Sequence, residues 1–282
     1  MYLSFMTDDT STSASHTRYL DRPSGRIAYE VSGEGPLVVL VPGLGDLRAA
    51  YRFLAPRLVA AGYRVALTDL RGHGESDPTF DSYGDPETAG DIEALVGALG
   101  GPAVVVGNSM GAGAAVYAAA EHPELIAGLV LVGPFVRDGE VGVLTRALMR
   151  VAMAPAWAAT SWKAYVPRLY AGRAPVDYDA YVREVVASLR RPGYARAFSR
   201  TTRLSHAPAE ARLGKVHAPT LVVMGDSDPD FADPKAEADW IAAALHGTVV
   251  MVPDAGHYPQ SQQPDLVADA VLAFLAETTR NA

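Results

Sequence analysis

The chain of 282 residues contains no cysteine. That absence excludes a disulfide framework and every thiolate metal site, and it makes a cytoplasmic location the expectation. No run approaches the roughly 18 uninterrupted apolar residues of a membrane-spanning helix. The opening MYLSFMTDDTSTSASHTR has neither the basic start nor the continuous apolar stretch of a secretion signal, and its Ser, Thr and Asp content predicts a loose tail over residues 1–17. Positive charge is in deficit, with 24 Lys and Arg against 32 Asp and Glu and a net charge of −8. No nucleic acid is therefore expected as a partner, and the missing apolar span leaves no membrane expected either. A first-strand G-x-G-x-x-G and a Walker sequence are both missing, which removes nucleotide cofactors. The seven histidines form no metal-spaced cluster. His16, His206, His217 and His246 are scattered, His122 sits at a helix end before Pro123, and His73 is expected to support its own loop. No cofactor and no metal is expected.

What is present is enough apolar material, 49% of the chain, for one sizeable core. From RIAYEVSG onward, short apolar runs (PLVVLVPG, YRVALTDL, PAVVVGNS, IAGLVLVGP) alternate with helix-like segments such as LRAAYRFLAPRLVAAG, PETAGDIEALVGALG and MGAGAAVYAAAEHP. Near-continuous apolar runs suit strands buried on both faces, and parallel strands need long crossovers, so the alternation predicts a mostly parallel sheet flanked by helices. The rhythm stops after residue 134 and resumes with APTLVVMGDSDP, PKAEADWIAAAL, TVVMVPDAGH and DLVADAVLAFLAET. Residues 18–134 and 216–282 are thus expected to form one α/β core, and 135–215 an inserted helical cap, because a structureless loop of that length is improbable. The cap carries Trp157, Trp162, Tyr165, Tyr170, Tyr181, Tyr194 and Phe198.

One serine stands where a strand run meets a small-residue helix, in VVVGNSMGAGAAV. Ser109 in GNSMG fits G-x-S-x-G between strand and helix, the context of a nucleophile elbow, and Gly107, Gly111 and Gly113 relieve crowding at so tight a turn. Asp228 in MGDSDPDFADP follows a later strand, and His257 in PDAGHYPQ follows the last one. Ser109, Asp228 and His257 give the chain order that accompanies this elbow.

Together VPGLGD, DLRGHGESD, GNSMG, GDSD and AGHYP resemble the α/β-hydrolase fold superfamily over about residues 18–280. The resemblance implies an eight-stranded-type, mostly parallel sheet. It also implies a serine hydrolase in which Ser109 attacks, His257 moves the proton and Asp228 fixes the imidazole, while the backbone N–H groups of Leu44 and Met110 bind the oxyanion. Pro42-Gly43 stands where many relatives have His-Gly. A serine rather than an aspartate as nucleophile argues against the dehalogenase and epoxide hydrolase branches. Asp226 and Asp230 bracket Asp228, Asp138 follows the sixth strand where the superfamily has an alternative acid, and Asp254 is expected in a turn.

The leading expectation is cleavage of a carboxylic ester, thioester or lactone through an acyl-enzyme. A carbon-carbon bond hydrolase of the meta-cleavage-product type is the alternative, and a non-hydrolytic ligand-binding or signalling protein is the reading from another class. The expected partner is a small-molecule substrate, apolar or anionic. Residues 135–215 hold 14 Lys and Arg against 6 Asp and Glu, a surplus of +8 that leaves −16 for the rest. Such a surplus serves either to attach a basic cap to an acidic body or to attract an anionic substrate.

Overall fold

The computed structural model describes residues 16–139 and 142–281; most of the expected loose tail, and residues 140–141 of the expected cap, lie outside them. Eight strands form one sheet: β1 Arg18–Arg22, β2 Gly25–Ser32, β3 Leu37–Val41, β4 Arg64–Thr68, β5 Ala103–Asn108, β6 Ile126–Val132, β7 Thr220–Gly225 and β8 Thr248–Val252. Their order is β1-β2-β4-β3-β5-β6-β7-β8. Pairs β1/β2 and β2/β4 are antiparallel and all others parallel. The α/β-hydrolase fold expected from the sequence is the fold observed. LVVLV of β3 is buried at every position, as a central parallel strand covered on both faces requires.

The crossover helices on the two faces are α1 Leu54–Ala60, α2 Asp85–Leu99, α3 Met110–Glu121 and α9 Pro234–Leu245, and after β8 come the short α10 Pro259–Gln262 and the terminal α11 Pro264–Asn281. Between β6 and β7 lie α4 Val143–Ala152, α5 Ala158–Leu169, α6 Tyr178–Leu189, α7 Tyr194–Thr201 and α8 Ala207–Glu210. One face of the sheet buries Val39, Val105 and Leu131 against α2, α3 and α9 residues such as Ile92, Val116 and Ile241. The other buries Leu40, Val106 and Val130 with Leu58 and Val271. Each such aliphatic side chain stabilises the fold by about 1.5–3 kcal/mol.

The segment between β6 and β7 has a core of its own, built on Trp162, Tyr170, Tyr181, Leu189 and Phe198 with Tyr258 from the body. Several of its arginines bond to the body. Arg137 pairs with Glu237 and Arg212 with Glu121, while Arg191 donates to the Gly74 carbonyl and Arg200 to Phe80 and Asp81. Arg168 and Arg173 are exposed.

The expected helix LRAAYRFLAPRLVAAG is two pieces, a 3₁₀ turn Arg48–Tyr51 and then α1. Pro56 explains the break: within one continuous helix its ring would meet the carbonyl of residue 52, whereas in the first turn of α1 it is tolerated. Strand β1 is a short edge with mostly exposed residues, RYLDR, and has none of the apolar signal that marks its neighbours.

Candidate active site

Ser109 joins β5 to α3 with φ 55 and ψ −121, a conformation that costs a non-glycine residue about 1–3 kcal/mol. The surroundings enforce it. The Ser109 N–H donates to the Val132 carbonyl at 3.0 Å, and the Ser109 carbonyl accepts from Ala112 at 3.0 Å and Phe135 at 3.2 Å. Backbone passes so close to backbone that a Cβ on Gly107 would lie 2.4 Å from the Gly111 carbonyl oxygen, and one on Gly111 2.6 Å from that of Val41. The side chain of Ser109 therefore projects at the carboxyl end of the sheet's central strand.

His257 follows β8 and is buried. Its Nδ1 lies 2.8 Å from Oδ2 of Asp228, which follows β7, and the other Asp228 oxygen accepts from the Asp230 N–H at 3.1 Å. The Asn108 amide donates to the carbonyls of Val132 at 2.9 Å and His257 at 3.2 Å, tying the loop of the histidine to the strand that carries the serine. Burial opposes protonation of His257, yet the Asp228 charge and hydrogen bond, helped by Asp230 and Asp46, outweigh it and raise the imidazole above its ordinary value. An ionised Asp228 accepts only, so Nδ1 carries the proton and Nε2 holds the lone pair of the neutral ring.

Ser109, Met110, Leu44 and His257 line one cavity of about 290 Å³, together with Phe135, Trp162, Tyr165, Leu169 and Tyr258. Met110 opens α3, where first-turn N–H groups have no partner within the helix. Leu44 belongs to the turn after β3. That turn is held from above: the Trp162 indole donates to the Gly45 carbonyl at 2.9 Å, and the Tyr181 hydroxyl donates to Asp46, which also accepts from the Leu47 N–H at 2.9 Å. Asp46 is buried with its second oxygen unbonded; burial raises its pKa to about 6 against the hydrogen bonds of Tyr181 and Leu47.

The alternatives for the acid separate cleanly. Asp230 reaches only 4.0 Å from the His257 Nδ1 and accepts from Tyr165 at 2.6 Å. Asp226 accepts from the Ser227 hydroxyl, Asp138 binds Ser205 and the His206 backbone, and Asp254 occupies a turn at φ 53. Asp228, Asp230 and His257 are also a group of three metal-type donors whose ligand atoms lie within 4.8 Å of one another, but two of those atoms are engaged with each other.

His73 is buried with Nδ1 on the Arg71 carbonyl at 3.0 Å, and burial lowers it to about 4. His122 contacts Glu124 at 3.1 Å on the surface. Of the seven aromatics expected in the cap, Trp162 and Tyr165 line the cavity; Tyr170, Tyr181 and Phe198 are core, Trp157 is exposed and Tyr194 packs under Arg191. His206, which the sequence shows only as one of the scattered histidines, lines the same cavity. A larger opening of about 420 Å³ lies elsewhere, walled by Arg48, Arg52, Arg191, Glu30, Asp69 and Glu75. Arg48 there pairs with all three acids, and the opening offers no nucleophile beside a base.

The Alpha/beta hydrolase family model matches residues 38–270. The chain belongs to the α/β-hydrolase family. This α/β hydrolase is 30% identical over 274 residues to the 2-hydroxy-6-oxononadienedioate/2-hydroxy-6-oxononatrienedioate hydrolase of Comamonas testosteroni, an alignment covering 89% of this chain and 91% of that one. It is 27% identical over 271 residues to the 2-(acetamidomethylene)succinate hydrolase of Mesorhizobium japonicum, covering 89% and 92%. Its fold is that of a bromoperoxidase from Bacillus anthracis, with TM-score 0.80, 20% identity and coverage of 93% of this chain and 100% of that one. It is also that of a thermophilic esterase from Thermogutta terrifontis, with TM-score 0.79, 24% identity and coverage of 93% and 99%. No helix among the described residues is long and apolar enough to cross a membrane.

Proposed function

We propose that this α/β hydrolase cleaves a carboxylic ester, thioester or lactone through an acyl-enzyme. The observation that carries the reading is a serine at a strained strand-to-helix turn sharing one cavity with a buried imidazole whose far nitrogen is held by Asp228 at 2.8 Å. His257 takes the proton of Ser109 as the hydroxyl attacks the carbonyl and returns it to the leaving group; a water activated by the same imidazole then releases the acid. The N–H groups of Leu44 and Met110 bind the developing oxyanion, where losing one donor typically costs about 10²–10³ in turnover. The helices within residues 135–215 act as a cap whose Trp162 and Tyr181 hold the oxyanion turn in place.

Ser109→Ala abolishes turnover of 4-nitrophenyl esters and labelling by a fluorophosphonate; activity retained in that variant refutes the nucleophile. The named activity of the Comamonas testosteroni relative supports a second reading, carbon-carbon cleavage of a vinylogous 1,5-diketone acid. Incubation with such an acid decides between them, since an ester hydrolase leaves it intact.

A further inference from the structure

The cavity that holds Ser109 and His257 contains a second imidazole on a second buried carboxylate. His206, just before α8, lines the same walls. Its Nδ1 lies 3.0 and 3.1 Å from the two oxygens of Asp85, the first residue of α2, whose side chain is inaccessible to solvent. The His206 backbone N–H donates to Asp138 at 2.7 Å. Its ring stacks on Phe135, centroids 5.7 Å apart and planes at 20°. Phe135 in turn meets His257, centroids 5.6 Å apart at 60°, so the two imidazoles flank one phenyl ring.

This is more than a residue packed into a wall. Burying a carboxylate is costly unless it is paired, and among the described residues Asp85 has no arginine or lysine; its hydrogen bonds go to His206. The carboxylate accepts and cannot donate, so Nδ1 of the neutral ring carries the proton and Nε2 is an acceptor. With Nδ1 turned to Asp85, Nε2 is the nitrogen left for the cavity, and no group among the described residues bonds to it. The remaining charges facing the cavity disfavour an anion at this end: Asp138 and Asp230 are acids, and Arg137 is paired with Glu237. A neutral hydrogen-bond donor fits, and among the cavity's few polar groups an imidazole nitrogen with no partner is one that fixes a substrate's orientation.

We infer that His206, positioned by Asp85, selects a substrate bearing a hydroxyl group remote from its scissile bond, Nε2 accepting the hydrogen bond of that hydroxyl. The inference rests on the serine-hydrolase reading above. The hydroxyl is placed beside His206, whose ring and that of His257 lie 5.7 and 5.6 Å from the Phe135 ring, centroid to centroid.

The test compares 4-nitrophenyl 6-hydroxyhexanoate, 4-nitrophenyl hexanoate and the 4-nitrophenyl monoester of adipic acid. The wild-type enzyme prefers the hydroxy ester over hexanoate about tenfold in kcat/KM, mainly through KM, as one net hydrogen bond allows. His206→Phe, which keeps a ring against Phe135, brings the ratio to about one, and His206→Gln restores part of it. A merely structural role would lower both rates in His206→Phe and leave the ratio unchanged, which overturns the inference. So does an equal wild-type rate on hydroxy ester and hexanoate, or a preference for the adipate ester. Calorimetry with Ser109→Ala makes the same comparison without turnover: tighter hydroxy ester, lost on adding His206→Phe, supports the role, and equal affinities sink it. Ester hydrolysis undiminished in Ser109→Ala defeats the serine-hydrolase reading instead.

Discussion

Two Asp–His pairs stand on either side of Phe135, and they differ in setting more than in geometry. Asp228 and His257 are both buried, 2.8 Å apart, on loops that follow β7 and β8. Asp85 and His206 are 3.0 Å apart, with an equally buried acid, but they come from the start of α2 and the segment before α8. The first pair shares the carboxyl end of the sheet with the strained Ser109 turn, and its cavity also takes in Leu44 and Met110. The second faces the cavity with no nucleophile assigned to it. A carboxylate that fixes an imidazole tautomer is thus a general device, and its role follows from what stands opposite the free nitrogen.

The largest expected effect breaks the equivalence of the pairs. Asp228→Asn leaves the geometry nearly intact but allows the wrong tautomer, and is expected to lower kcat on 4-nitrophenyl hexanoate on the order of 10⁴-fold. Asp85→Asn on the same plain ester costs no more than about tenfold. Equal losses in the two variants would remove the distinction drawn between them.

Next in size is a change that reaches the first pair through Ser109. A Cβ on Gly43 would lie 2.8 Å from the Cβ of Ser109 and 3.2 Å from Oδ1 of Asn108. Gly43→Ala therefore displaces Ser109 or the turn after β3, and is expected to lower kcat about 10²–10³-fold, the scale of a lost oxyanion donor on the proposed mechanism. Circular dichroism should show the fold intact, with kcat falling more than KM rises.

How much of this was legible follows the same division. Strands β3 to β8 announce themselves because a parallel sheet covered on both faces demands runs such as LVVLV and AVVVGN, and Ser109 and His257 fall at their ends, where local sequence carries the signal. Strand β1 is an exposed edge with no such run. Asp85 and His206 are 121 residues apart, and Asp46 and Tyr181 are 135 apart. Pairs at such separations are created by the packing of the inserted helices on the body, and no spacing in one sequence encodes that. The surplus of positive charge in residues 135–215 is visible in the sequence, but which of its two uses applies is not; Arg137, Arg191, Arg200 and Arg212 bond to the body.

pH sharpens the comparison further. His257 is raised above the ordinary 6.5 of histidine, with the Asp228 charge overcoming burial. Only the neutral ring can act as base, so kcat/KM should climb with pH along an acid limb centred above 6.5. The linked stability has the opposite sense: a raised imidazole contributes stability that is full below 6.5 and lost as pH rises through the folded value. The difference in Tm between wild type and Asp228→Asn should therefore be largest near pH 6 and shrink toward pH 10. An acid limb centred below 6.5 would contradict the assignment of His257 as base.

The smallest effect isolates a charge that belongs to the first pair's surroundings alone. Asp46 is buried beneath Tyr181, and burial holds its pKa near 6 rather than the ordinary 3.8. A carboxyl raised in this way contributes stability that is full below 3.8 and lost as pH rises through about 6, because above that value the fold must hold a buried charge. Asp46→Asn is neutral at every pH and keeps an oxygen for the Tyr181 hydroxyl and the Leu47 N–H. At pH 8 it should be more stable than wild type by about 2–3 kcal/mol, a gain of several degrees in Tm for a chain of this length, and the gain should disappear by pH 4. Asp46 also favours the charged form of His257, so the acid limb of the same variant should move slightly to lower pH. A variant less stable than wild type at pH 8 would mean that the carboxylate is held charged by Tyr181 and Arg52 more strongly than burial opposes it.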